Sequence, residues 1–170
     1  LPHRVSLQKS GCPFKCTGAG MKEIPLTKGQ FAIVDDADFD WLSRYSWISN
    51  TSGYAVRRYS RIPMHRMVSS PNREQEVDHM NGNKLDNQRA NLRNCTRKEN
   101  ARNRKQNTGT SQYKGVYWEK EAKCWRADIR VDYKLRFLGR FPSEIDAARA
   151  YDAAARQHFG EFARLNFSQE

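Results

Sequence analysis

The sequence predicts an α+β chain built from several small modules, and three observations carry that prediction. Residues 21–70 hold short apolar runs punctuated by Gly, Asn, Ser and Asp, the pattern of a small β-rich module. Residues 71–107 read as strand, Asn-Gly turn, and a capped helix. Residues 113–168, after a linker at 108–112, read as a three-stranded antiparallel sheet packed on one Ala-rich helix. A chain of 170 residues holds one ordinary domain or two to three small ones, and the changes in composition favour small modules.

Residues 1–20 carry His3, Arg4, Lys9 and Lys15 and no acid, which reads as a basic arm or an upstream segment before Met21. Cys12 and Cys16 with His3 have half the ligands of a zinc site, but no second Cys or His pair follows nearby, so we read them as incidental. The four cysteines form no disulfide framework and point to a reducing compartment.

Strands are expected at Ile24 to Leu26, Phe31 to Val34, Tyr45 to Ile48 and Tyr54 to Tyr59. Asp38 to Leu42 should begin a helical turn capped by an Asp side chain, and Met64 to Val68 a second short helix. Ser69, Ser70, Pro71 and Asn72 break the chain.

The next unit starts at Glu76-Val77-Asp78-His79, turns at Asn81-Gly82-Asn83, and passes Leu85 and Leu92 to a helix near Thr96. Thr96 and Glu99 have the capping-box spacing, and Asn100, Asn103, Arg104 and Asn107 recur at helical intervals, so one face is polar. Seven basic residues stand against Glu99 alone between Arg89 and Lys105, a density suited to phosphate contact.

In the last unit, strands are expected at Tyr113 to Trp118, Lys123 to Val131 and Lys134 to Phe141, the latter two joined by a tight Asp132-Tyr133 turn. Ser143 should cap the helix, Gly160 should end it, and Ile145, Ala148, Ala155 and Phe159 should line its inner side. Trp125, Ala127 and Ile129 share one strand face, which leaves Arg126, Asp128 and Arg130 on the other.

The net charge of +11 and a pI near 9.8 point to a polyanionic partner, nucleic acid first. No apolar run approaches a membrane span, which argues against a membrane partner.

Val-Asp-His-Met-Asn-Gly-Asn-Lys-Leu-Asp-Asn, Asn91-Leu92-Arg93, and the helix carrying Asn100 together resemble an HNH endonuclease of the homing type found in phages and mobile introns. Tyr113-Lys114-Gly115-Val116, Lys-Cys-Trp-Arg-Ala-Asp-Ile, Leu-Gly-Arg-Phe, the helix Ala-Ala-Arg-Ala-Tyr-Asp-Ala-Ala-Ala and the closing Gly-Glu-Phe-Ala-Arg-Leu-Asn-Phe resemble the plant ethylene-response-factor (APETALA) DNA-binding domain. The combination resembles mobile endonucleases, and residues 71–107 would then be a ββα-metal nuclease core.

By matched position, the resemblance implies that Asp78 and Asn100 ligate one divalent cation, that His79 is the general base, and that Asn91 hydrogen-bonds His79. A carboxylate and an amide oxygen suit Mg²⁺ or Mn²⁺, and an imidazole with an unperturbed pKa of about 6.5 takes a proton from water at neutral pH. Phosphodiester hydrolysis in double-stranded DNA follows, one strand per site, with no small-molecule substrate. Arg126 and Arg130 are the leading candidates for reading bases, since arginine pairs bidentately with guanine. Lys114, Tyr117 and Arg140 are further candidates, and Arg93, Arg97 and Arg104 are expected on phosphates. Tyr117 stands where the plant domain usually has arginine and Arg136 where it has an apolar residue, so the plant target sequence does not transfer. By family analogy the protein works in the cytoplasm of a bacterial or phage-infected cell. The rival readings are a DNA-binding regulator that keeps the nuclease fold as scaffold and, more weakly, an RNA-binding module.

Overall fold

The computed structural model describes residues 20–104 and 109–167; the basic arm with Cys12 and Cys16, and also Lys105 and Asn107, lie outside the described residues. Two compact units emerge, one made of the chain up to Ser70 plus Asn83–Leu92, the other of Pro71–Gly82 plus Arg93 onward. The expected 71–107 segment is thus shared, its loop packing with the first unit. Among the described residues no helix is long and apolar enough to cross a membrane.

In the first unit β1 (Met21–Pro25) pairs antiparallel with β2 (Phe31–Asp35), and β3 (Trp47–Ser49) pairs with β4 (Ala55–Arg57). Alternation buries Ile24, Ala32 and Val34, and Leu42 of α1 (Asp36–Leu42) and Met64 and Val68 of α2 (Met64–Ser69) are buried as well. Helix α1 starts earlier than Asp38, and no side chain caps it. Asp35, the N-cap residue, instead accepts from the Arg89 backbone N–H at 2.8 Å and the Gln88 side chain at 3.1 Å. The loop is laced to β2 by Ile33 N–H to Leu85 C=O and Asn87 N–H to Ile33 C=O, both 2.8 Å. Arg89 closes it with a two-pronged ion pair to Asp38, each bond 2.7 Å. Burial pushes the Asp38 carboxyl up, but bonds from Arg89 and the Trp41 indole outweigh it and hold the group below its ordinary range.

In the second unit β5 (Glu76–His79) pairs with β6 (Leu92–Cys95), and α3 (Arg97–Arg102) follows. The expected capping box is present, with Thr96 Oγ1 accepting from Glu99 N–H and Glu99 accepting from Thr96 N–H at 2.8 Å. Next come β7 (Val116–Glu119), β8 (Cys124–Val131) and β9 (Lys134–Phe141) in antiparallel order, then α4 (Glu144–Phe159). Asp132 and Tyr133 both take positive φ, 48° and 65°, as a two-residue type I′ hairpin requires. Gly160, also at positive φ, ends α4.

Alanines let α4 lie close on the sheet: Ala147 and Ala148 meet Val116 and Ala127, while Tyr151, Ala155 and Phe159 meet Ile129 and Val131. Ile145 does not belong to this face and is 46% exposed; the buried stripe runs through Ala147, Ala148 and Tyr151 and leaves Ile145 at its edge. Ser143 precedes α4 as expected but makes no side-chain cap bond. Asp152, buried in the middle of α4, accepts from the backbone N–H groups of Asn166 and Phe167 at 2.8 and 3.0 Å and so ties the returning chain down. Asn166 in turn brackets Lys114 by bonding both its N–H and its C=O.

Candidate active site and nucleic-acid interface

Strand β5 presents Asp78 and His79, both buried, and the chain then turns back through His79 C=O and Gly82 N–H, 2.8 Å apart. Gly82 sits at φ 75°, where the Asn-Gly turn needs it. The Asp78 carboxylate is the hub. Arg93, from β6, donates to its Oδ2 from Nε at 3.0 Å and Nη2 at 2.6 Å. Asn103, just past α3, brings its side-chain nitrogen to 3.0 Å from both Asp78 oxygens, 3.0 Å from His79 C=O and 3.4 Å from Met80 C=O.

The asparagine that the structure brings to Asp78 is therefore Asn103. Asn100 lies one helical step earlier, and its amide is bound to Glu76 Oε2 at 2.6 Å. Both residues share the polar face that spacing predicts, and the packing of α3 on β5 selects between them. Asn91 belongs to the other unit, where it is buried and donates to Asp86 C=O at 2.8 Å. Arg93 is not free for a phosphate: its side chain is 11% exposed, paired with Asp78, stacked over the Phe162 ring at 4.3 Å, and bonded to Glu161 C=O.

Arg93 donates to Oδ2 and not to Oδ1, so among the described residues Asp78 Oδ1 has the Asn103 amide as its partner, an amide that also reaches Oδ2. The donors around that point are all hard oxygens: one carboxylate, two backbone carbonyls, and the Asn103 amide oxygen after a half-turn of its side chain. Among the described residues no three His, Cys, Asp or Glu side chains gather. A set of one carboxylate and one amide fits Mg²⁺ or Mn²⁺, which keep several waters and take phosphate oxygens as further ligands, and it does not fit a zinc cage. Cys95, nearby on β6, donates to Glu76 C=O, and burial pushes its thiol up to about 11, the behaviour of a packing residue.

The arginine-bearing face of the C-terminal sheet is ordered by its own acids. Tyr117, Arg126 and Arg140 lie in one cross-strand row. Arg126 meets Asp128 at 3.2 Å and Glu119 at 3.6 Å and stacks on Phe137 at 4.8 Å. Arg140 forks onto both Glu119 oxygens, which holds that carboxyl below its ordinary value. The Tyr117 hydroxyl donates to Asp128; burial and that carboxylate push the phenol up to about 12, so it remains a hydrogen-bond donor. Phe137, 53% exposed, stands outside the core, leaving an aromatic flanked by guanidiniums on an open sheet face. Arg97, Arg104, Lys114 and Arg130 line one cavity of about 640 Å³.

Residues 70–102 match the sequence profile of the HNH endonucleases. Over 146 residues the chain is 32% identical to an uncharacterized HNH endonuclease of Acanthamoeba polyphaga mimivirus, covering 82% of this chain and 76% of that protein. It is 37% identical over 91 residues to Protein 3.8 of Escherichia phage T7, covering 52% of this chain and 74% of the phage protein. Over 58 residues it is 45% identical to the dehydration-responsive element-binding protein 2A of Oryza sativa subsp. indica, covering 33% of this chain and 21% of the rice protein. The last likeness is to one module only, an AP2-like domain at the C-terminal end of this chain.

Proposed function

Since the chain belongs to the HNH endonuclease family, we propose that it hydrolyses phosphodiester bonds in double-stranded DNA, cutting one strand per site, with its C-terminal sheet placing the nuclease on the duplex. The observation that supports this most is the cluster in which the Asp78 carboxylate and the Asn103 amide meet beside His79. In this reading Asp78 Oδ1 and the Asn103 amide oxygen would hold one Mg²⁺ or Mn²⁺. Such a cation supplies charge stabilisation to the phosphate and the departing 3′ oxygen.

His79 accepts the proton of the attacking water. The resemblance assigns Asn91 the task of fixing the imidazole tautomer, and its burial supports a positioning role. Arg93 holds the Asp78 carboxylate turned, since two N–H donors converge on Oδ2 and leave Oδ1 to the Asn103 side. On the sheet, Arg126 and Arg140 are pre-ordered by Glu119 and Asp128, which lowers the entropy lost on meeting base edges or phosphates.

Supercoiled plasmid with Mg²⁺, an EDTA control, and His79→Ala and Asn103→Ala variants test the reading. Metal-dependent conversion to open circles, lost in both variants, is the expected result. Tight binding without cleavage across several divalent metals would replace it with a DNA-binding regulator.

A further inference from the structure

A cavity of about 640 Å³ opens within the second unit, lined by α3, β8, the Asp132-Tyr133 turn and α4. Its walls are fastened by three cations. Lys98 pairs with Asp132 at 2.6 Å, Arg102 stacks on the Phe159 ring at 4.7 Å, and Lys114 donates to Arg102 C=O. Three other cations, Arg97 and Arg104 from α3 and the residues just past it and Arg130 from β8, reach the same cavity, are exposed, and make no ion pair among the described residues. Among the described residues Asp132 is the one carboxylate in the lining, and Lys98 already engages it. The cavity therefore carries a large excess of positive charge with guanidinium donors to spare, the condition that an oxyanion relieves. Burial, with the Arg164 charge beside it, pulls the Lys114 ammonium down to about 8.

Arg130 also stands on the same sheet face as Arg126, two alternations along β8 and opposite Leu135. Arg130 thus belongs both to the cavity lining and, by alternation, to the strand face of the proposed DNA reader, and α3, the helix that follows the nuclease strands, forms another wall. We propose that this cavity is a clamp for the phosphate backbone of duplex DNA, joining the sheet face to α3 in one basic track, so that the cut falls at a fixed distance from the bound site. The proposal rests on the DNA-endonuclease reading and adds a contact surface to it. Charge complementarity commits it to a phosphodiester backbone; the tyrosine at the rim, Tyr133, is 90% exposed and adds a hydroxyl donor.

The test uses the full chain with a duplex in EDTA, and reads affinity against salt concentration. Each phosphate contact removed lowers the log–log slope by about one. Arg97→Gln, Arg104→Gln and Arg130→Gln should each lower it by about one and the triple variant by about three, while the triple lysine variant keeps the slope. Footprints on the duplex should shorten at one end in the triple glutamine variant. An unchanged slope in that variant, alongside a lower slope in Arg126→Gln, overturns the clamp and leaves the DNA reading intact. Unchanged slopes in both sets overturn the two together. Stronger competition by an RNA hairpin than by duplex DNA also overturns the clamp.

Discussion

Arg93 and Asp78 form a buried ion pair in which two guanidinium nitrogens, at 2.6 and 3.0 Å, share a single carboxylate oxygen. An arginine that the local charge density marks for phosphate is thereby spent inside the protein. Removing one partner of such a pair leaves a buried charge alone, which costs about 3 kcal/mol or more. Arg93→Ala should lower the urea midpoint accordingly and leave the salt dependence of DNA binding unchanged. A slope reduced by one at wild-type stability would return Arg93 to the DNA surface.

Asn103 and Asn100 separate by function. Asn103→Ala should lower plasmid nicking by about 100-fold or more and weaken Mn²⁺ binding seen by electron paramagnetic resonance, as loss of a ligand does. Asn100→Ala removes the bond to Glu76 and should act on stability, by about 1 kcal/mol, with Mn²⁺ binding retained. The reverse pattern would restore Asn100 as the ligand.

Thr96→Ala breaks the capping box and should cost about 1 kcal/mol. The Glu99 half of that box has a pH signature. Bonds from the Thr96 backbone and hydroxyl lower its pKa below 4.5 in the folded chain. The group contributes stability above its unfolded value, and that contribution is lost as pH falls through the folded one. Denaturation midpoints of wild type and Glu99→Gln should therefore differ at neutral pH and converge in acid.

Lys114 runs the other way. Its folded pKa, about 8, lies below the ordinary 10.5, so between these values the unfolded chain holds the proton that the folded chain has lost. Stability relative to Lys114→Met should rise with pH across that interval. A flat difference between pH 7 and 11 would show that the ammonium is not desolvated.

Gly115 is wedged between the sheet and α4. A Cβ there would lie 2.0 Å from the Tyr151 ring and 2.7 Å from Asp128 C=O, at φ 76°. Gly115→Ala should cost about 3 kcal/mol or more. Gly29→Ala, with the same backbone sign and open space around it, should cost about 1 kcal/mol. Thermal unfolding of the two variants gives the comparison.

What the sequence made legible is what local chemistry decides. The Thr96–Glu99 box, the Asp132-Tyr133 turn and the Gly160 stop each depend on residues within a few positions of one another, and all three are present. The nuclease strand with Asp78 and His79 was readable for the same reason. The choice between Asn100 and Asn103 was not, because a three-residue step keeps the helical face and only the seating of α3 on β5 decides which amide arrives. The pairing of Arg93 with Asp78 was not legible either, because it crosses a strand pairing that charge counting does not see. Asp35 gave up the helix cap to bind the Arg89 backbone, a tertiary bond outweighing a local one.

The turn after α4 is held to the nuclease by its backbone and a ring: Glu161 C=O and Phe162 meet Arg93, and Arg164 reaches Asn81 C=O. An AP2-like module anchored in this way is consequently not an interchangeable cartridge. A chimera that borrows another sheet and helix has to import a carbonyl, an aromatic ring and a cation at these three places, or the nuclease carboxylate loses the support behind its own arginine. Grafts chosen by the shape of this short tail, rather than by the target sequence of the donor, are the ones that should keep the cutting site assembled.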